Sequence, residues 1–133
     1  MSTLTCDIVT PEAQLASTEC YMVVVPGSEG EMGFLEDHAP LVSTLADGQV
    51  RLLSDNSTVQ ERYCLQGGYV QVTGKKVIVL ADRAVPVSEI DTAEVATKLA
   101  EANERLAGLA EDDADRALVE ADIRWFELLQ HSA

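Results

Sequence analysis

The placement of glycine and proline divides this chain near residue 88. All four prolines and seven of the eight glycines lie before this point, and only Gly108 lies after it. Both residue types mark turns and are poorly tolerated inside helices. We therefore expect two regions, with strands and turns in residues 1–87 and helices in residues 88–133.

Short apolar segments recur between turn signals throughout the first region. The segment Leu4–Val9 ends before a proline, and Gln14–Val25 is long enough for two strands or one bent strand. Asp47-Gly48 is a pair typical of a hairpin turn. This spacing predicts a β-sandwich, a flattened antiparallel barrel of about 8–10 strands. Alternation places Leu4, Cys6 and Ile8 on one face of the first strand.

Helical periodicity replaces this pattern in the second region. Ser88, followed three residues later by an acid, resembles a capping box and predicts where the first helix begins. Gly108 is a candidate C-cap. Two apolar stripes at helical spacing predict an antiparallel two-helix hairpin: Ala93, Ala96, Leu99, Ala100, Leu106 and Ala107 in one helix, and Ala114, Leu118, Ala121, Trp125 and Leu128 in the other.

Composition excludes several classes of protein. The formal net charge of −14 opposes nucleic-acid binding, because phosphates would be repelled. Apolar stretches fall far short of the roughly 20 residues that span a bilayer, and the first residues do not resemble a signal peptide. Three widely spaced cysteines (Cys6, Cys20 and Cys64) suggest neither a disulfide framework nor a zinc site and fit a reducing cytoplasm.

No group of residues in the sequence has the spacing of a catalytic or metal site. His38, on an expected extended loop, and His131 are the only histidines, and neither lies in a cluster of ligands. The segment from Pro26 to Gly33 has three glycines but no following helix or lysine, which favours a tight exposed turn over a phosphate loop. The residues alone thus indicate a non-catalytic domain, either a subunit of a complex or a stand-alone module that binds a ligand or peptide.

Two pairs of motifs resemble the epsilon subunit of F-type ATP synthases. Residues 27–33 read GSEGEMG and precede DHAPL at 37–41, while QGGYVQV at 66–72 precedes VIVLAD at 77–82. The resemblance covers essentially the whole chain. It implies a non-catalytic rotor subunit that couples c-ring rotation to ATP synthesis and hydrolysis in the catalytic head, without metal or cofactor.

The resemblance also implies contact residues. In that family the first turn meets the polar loops of the c-ring, and nearby positions face the gamma subunit. The matching residues are Glu29, Gly30 and Glu31 for the c-ring, and Thr10, His38 and Ser43 for gamma. The implied location is peripheral, on the cytoplasmic face of a bacterial plasma membrane or the stromal face of a thylakoid, with membrane association only through the complex.

Two regulatory features of the family are altered in this chain. Relatives bind ATP through a motif that Ile90 and Asp91 retain, but Glu94 stands where the motif has arginine, which opposes a triphosphate. The helices of relatives also reach the alpha and beta subunits through basic residues. Here Arg124 and Trp125 are the candidates for that head contact, within a strongly acidic segment.

Overall fold

The computed structural model describes residues 3–133. The chain separates into two compact units, one ending at Pro86 and the other spanning Val87–Ala133. The first unit consists of strands and turns, and the second consists of helices. Each unit is described by itself below.

Ten strands form two five-stranded sheets within the described part of the first unit. The strand order is β2-β1-β9-β8-β5 in the first sheet and β10-β7-β6-β3-β4 in the second. The predicted β-sandwich is therefore confirmed. The strands are β1 (Leu4–Val9), β2 (Gln14–Cys20), β3 (Met22–Gly27), β4 (Gly30–Leu35), β5 (His38–Thr44), β6 (Gly48–Leu53), β7 (Val59–Gln66), β8 (Tyr69–Gly74), β9 (Lys76–Leu80) and β10 (Arg83–Pro86).

The core lies between the two sheets and follows the alternation of apolar residues. Leu4, Cys6 and Ile8 are each at most 2% exposed, which confirms their shared inward face. Phe34 from β4 and Leu52 from β6 bury their side chains from the second sheet. Full burial of a side chain of this size contributes about 1.5–3 kcal/mol, so the core supplies the main stabilisation of the unit.

One strand pair is parallel, which the sequence pattern did not indicate. β1 lies between β2 and β9, and it pairs with β9 in parallel, with Cys6 opposite Val77. Parallel neighbours cannot be joined by a tight hairpin and require a long crossover connection. The whole chain from β2 to β8 lies between these two strands in sequence, and it supplies that connection.

The predicted hairpin at Asp47-Gly48 is wrong. β5 pairs with β8 in the first sheet, whereas β6 pairs with β3 and β7 in the second, so this segment carries the chain from one sheet to the other. The segment Gln14–Val25 likewise divides into strands of different sheets, with the change at Tyr21. A local turn signal cannot distinguish a hairpin from such a crossing, because both need a sharp change of direction.

The first helix begins later than the sequence predicted. Val87–Glu89 forms a 3₁₀ turn that contains Ser88, and the N-cap of α1 (Thr92–Ala107) is Asp91, whose carboxylate accepts the Glu94 N–H at 3.1 Å. Gly108 is the C-cap, as predicted, with an N–H bonded to the Arg105 carbonyl at 3.1 Å. Asp91 rather than Ser88 is the N-cap because the Asp91 carboxylate reaches the backbone N–H of the third residue of the helix.

The second helix, α2 (Arg116–Ser132), returns alongside α1. Arg105 near the end of α1 lies 3.7 Å from Asp115 at the N-cap of α2, as in an antiparallel hairpin. The predicted apolar stripes are confirmed only in part. Trp125 is buried, and Leu99, Leu106, Ala121 and Leu128 are partly buried. The other stripe residues are exposed: Leu118 at 67%, together with Ala93, Ala96, Ala100, Ala107 and Ala114. The buried positions are Val95, Val119, Ile123, Trp125 and Leu129. The larger apolar side chains set the buried face because each removes more area from water than alanine does.

Candidate functional site: the tip and end face of the sandwich

The acidic turn predicted from the sequence is the tip of the hairpin formed by β3 and β4. Gly27 pairs with Gly30, so only Ser28 and Glu29 lie outside the strands. Gly30 has a φ of 135°, which a residue with a side chain rarely adopts. The sequence prediction of a tight turn is correct, but it missed strand β4, to which Gly30 and Glu31 belong.

Glu31 is held by an ion pair on the second sheet. The Arg51 Nη2 atom of β6 lies 2.7 Å from Glu31 Oε1, and it reaches across β3 to do so. Both side chains are partly exposed, so the pair is worth about 0.2–1 kcal/mol. Glu29 is exposed, and no ion pair involves it within residues 3–133.

The same tip is joined to the first sheet. Ser28 Oγ and Thr44 Oγ1 share a hydrogen bond of 2.7 Å, and the Ser28 N–H donates to the Thr44 carbonyl at 3.1 Å. A groove of about 430 Å³ lies here, lined by Ser28–Met32 and Val42–Thr44. Ser43, predicted to face gamma, therefore borders the predicted c-ring contact.

Thr10 lies at this end of the first sheet as well. Val9, which directly precedes Thr10, pairs with Leu80 of β9. Leu80 pairs with Tyr69 of β8, and Tyr69 pairs with Thr44 of β5. Thr10 itself is only 9% exposed, with its hydroxyl directed to the Ala13 carbonyl at 3.3 Å. Its side chain thus offers little contact area to a partner.

His38 is separated from the other two predicted gamma contacts. It begins β5 opposite Gly74, at the far end of the strand from Thr44. It belongs to a strand, not to the extended loop expected from the sequence. Its ring meets Phe34 edge-to-face with centroids 5.0 Å apart, and Nδ1 lies 2.8 Å from the Ala39 carbonyl oxygen. No cluster suited to a metal ion is present in the described part of the chain.

Two exposed apolar residues were missed by the site prediction. Val42 is 66% exposed and Tyr69 47%, and the register makes them diagonal neighbours on the outer face of the first sheet. Tyr69 also borders a second groove of about 350 Å³ with Val9, Pro11 and Leu80. Successive residues of a strand point to opposite faces, and Val42 is three positions from Leu45. With Leu45 on the buried face, alternation would have assigned Val42 to the outer face.

The predicted head-contact residues of α2 have different environments. Arg124 is exposed, whereas Trp125 is buried and only 8% exposed. Successive residues of a helix point about 100° apart, so one can face solvent while the next is buried. The indole of Trp125 is therefore not presented to a partner in this conformation.

The residues retained from the nucleotide motif have local structural roles. Asp91 caps α1, and Ile90 directly precedes it. Glu94, at the position of the motif arginine, forms an ion pair with Lys98 at 2.7 Å. The start of α1 therefore presents two carboxylates where the motif would offer one carboxylate and one guanidinium.

Comparison with known proteins agrees with this architecture. Residues 3–87 match the family model described as ATP synthase, Delta/Epsilon chain, beta-sandwich domain. The ATP synthase epsilon chain of Myxococcus xanthus is 38% identical over 93% of this chain and 90% of its own length. That of Granulibacter bethesdensis is 38% identical over 91% of this chain and 98% of its own length.

A solved structure supports the same assignment. A chain in the cryo-EM structure of the Euglena gracilis mitochondrial ATP synthase, OSCP/F1/c-ring, is 25% identical with a TM-score of 0.77, covering 99% of this chain and 82% of that one. Among the described residues, no helix is both long and apolar enough to cross a membrane. The resemblance predicted from the sequence is confirmed: this chain belongs to the family of ATP synthase delta/epsilon chains.

Proposed function

We propose that this chain is a non-catalytic rotor subunit of the central stalk of an F-type ATP synthase, where it couples c-ring rotation to ATP synthesis and hydrolysis in the head. It acts peripherally at the membrane surface, on the cytoplasmic face in a bacterium. Its relatives are epsilon chains over nearly their whole length. One observation carries the proposal: the acidic tip and the exposed apolar residues meet at one end of the sandwich.

The gamma subunit docks on the apolar outer face of the first sheet. Val42 and Tyr69 supply exposed apolar area there, and Ser43 borders the groove beside the tip. Contiguous exposed apolar surface beside polar residues is typical of protein contacts. Thr10 contributes to the gamma contact indirectly, by stabilising the turn after β1. His38 lies at the end of β5 opposite to Thr44.

The c-ring contact is electrostatic and centres on the tip. Glu29, Gly30 and Glu31 present two carboxylates to the basic and amide groups of a polar loop. Because Arg51 already pairs with Glu31, Glu29 carries the charge that is free to bind a partner. Charge-assisted hydrogen bonds of this kind are stronger than neutral ones.

The test is assembly and coupling in the complete complex. Val42→Asp with Tyr69→Asp should abolish co-purification with gamma, because charges would be buried in the contact. Glu29→Lys should leave gamma bound and lower the ratio of proton pumping to ATP hydrolysis. Asp112→Lys, in the link between the helices of the other unit, makes the same charge change and should have no effect. A chain that does not bind gamma would instead be a stand-alone binding module.

The helical unit regulates ATP hydrolysis weakly, through contact with the alpha and beta subunits. Arg124 is exposed for such a contact, but Trp125 becomes available only if the hairpin rearranges. Seven acids among residues 109–133 make the fit to an acidic partner surface poor. Deletion of residues 88–133 should therefore raise ATPase activity only slightly, and a large rise would contradict weak regulation.

A further inference from the structure

The tip of the β3–β4 hairpin is fastened from both sheets of the sandwich. On one side Thr44 of β5 bonds to Ser28, through both the side chains and the backbone. On the other side Arg51 of β6 pairs with Glu31. β4 is an edge strand of the second sheet and β5 an edge strand of the first, so the tip bridges the edges of the two sheets.

Further backbone contacts make this bridge continuous. The Ala46 N–H donates to the Pro26 carbonyl at 2.8 Å, and Gly27 forms an isolated bridge with Leu45. A hairpin end without such contacts would retain backbone freedom, and ordering one residue costs about 1–2 kcal/mol. The contacts therefore offset this cost in the free protein, before any partner binds.

Glu29 lies between Ser28 and Glu31, the two residues that Thr44 and Arg51 hold in place. It is exposed, it borders the groove shared with Ser43 and Thr44, and within residues 3–133 it has no ion pair. Its backbone is constrained on one side by Ser28 and on the other by the pairing of Gly30 with Gly27. The turn thus offers one unneutralised carboxylate on a restrained backbone.

We propose that Ser28, Thr44 and Arg51 are positioning residues, which hold the turn so that Glu29 meets the basic or amide groups of the c-ring polar loop. This inference rests on the c-ring contact in the proposed function. A preorganised contact binds more tightly because less freedom is lost on binding. The hydroxyl of Thr44 acts through Ser28 and need not touch the partner.

The decisive variant is Thr44→Val, which removes the hydroxyl and keeps the shape of the side chain. In the full-length chain, amide hydrogen exchange at Ser28 and Gly30 should become faster while the melting temperature changes little. Binding to a complex of gamma and the c-ring should weaken about threefold to tenfold, the range expected for one lost hydrogen bond. Arg51→Gln should act in the same direction, whereas Thr44→Ser should restore wild-type exchange and binding.

The outcomes separate this inference from the proposed function. Wild-type exchange and binding in Thr44→Val, beside weakened binding in Glu29→Lys, would overturn the positioning role and leave the c-ring contact standing. Wild-type binding in Glu29→Lys would overturn the c-ring contact and the positioning role with it. Faster exchange and weaker binding in Thr44→Val, both reversed in Thr44→Ser, would support the proposal.

Discussion

The carboxylate of Asp47 accepts a hydrogen bond from the backbone N–H of Gly67 over 3.2 Å. The Gln66 side-chain amide donates to the other oxygen of the same carboxylate at 3.3 Å. Asp47 belongs to the β5–β6 crossing and Gly67 to the β7–β8 crossing, so one side chain joins two of the places where the chain changes sheets.

Asp47→Ala should lower the free energy of unfolding by about 1–2 kcal/mol, because two donors lose a charged acceptor. Asp47→Asn is the matched control, since its amide oxygen still accepts the hydrogen bond from Gly67. This variant should lose only about half as much stability as Asp47→Ala. Urea unfolding of the full chain gives both values. Equal midpoints for Asp47→Ala and the wild type would show that this carboxylate contributes nothing to stability.

Gly68→Ala should prevent folding or destabilise the sandwich by more than about 3 kcal/mol. A Cβ atom at Gly68 would lie 1.8 Å from the Leu80 carbonyl oxygen, and the φ of 96° is unfavourable to a side chain. Gly74→Ala is the control, because its φ is also positive at 62° but no atom lies within 4 Å of the added Cβ. It should cost only about 1–2 kcal/mol. Soluble yield and thermal melting distinguish them, and similar losses in both variants would contradict the steric argument.

Asp91→Ala should lower the stability of α1 by about 1 kcal/mol, because the Glu94 amide loses its side-chain acceptor. Asp91→Asn retains an acceptor oxygen and should stay close to the wild type. Asp112→Ala offers a second control, since Asp112 lies in the link between the helices and is exposed. Hydrogen exchange in α1 provides the measurement, and equal protection in the two alanine variants would refute the capping role of Asp91.

The buried cysteines predict a loss of stability at alkaline pH. Burial, followed by the neighbouring Cys20 thiol, raises the pKa of Cys6, and burial together with Glu61 raises the pKa of Cys20 from 9.0 to about 11. Unfolded thiols ionise near pH 9 while the folded ones stay neutral. The stability that the neutral buried thiols contribute to the folded state is therefore complete below pH 9 and is lost as the pH rises towards 11. Cys20→Ala should flatten this decline in urea unfolding at several pH values, and an unchanged slope would contradict the assignment.

Millimolar ATP should leave the melting temperature of the full chain unchanged. The Asp91 carboxylate is occupied as a cap, and Glu94 pairs with Lys98 where the nucleotide motif has arginine. A ligand at about ten times its dissociation constant would add about 1.4 kcal/mol of stability, which is easily detected. A reproducible rise with ATP, absent with inorganic phosphate, would show that the altered motif still binds nucleotide.

Local patterns in the sequence determined the inward face of β1, the positions of many turns and the C-cap at Gly108. These features depend on residues a few positions apart, so alternation and turn chemistry are sufficient to predict them. The motifs around residues 27–41 and 66–82 similarly determined the family. The buried helix faces were predicted less well, because alanines at helical spacing outnumbered the larger residues that the fold buries, such as Val119 and Ile123.

Only the tertiary structure decided which sheet each strand joins and which site residues lie together. Arg51 meets Glu31 across β3, and Thr44 meets Ser28 across the edges of two sheets. The same packing places Ser43 beside the tip and His38 at the other end of its strand. Such contacts join residues 16 or 20 positions apart, and they arise from strand pairing, which is stabilised by burial over the whole core and leaves no local signature in the chain.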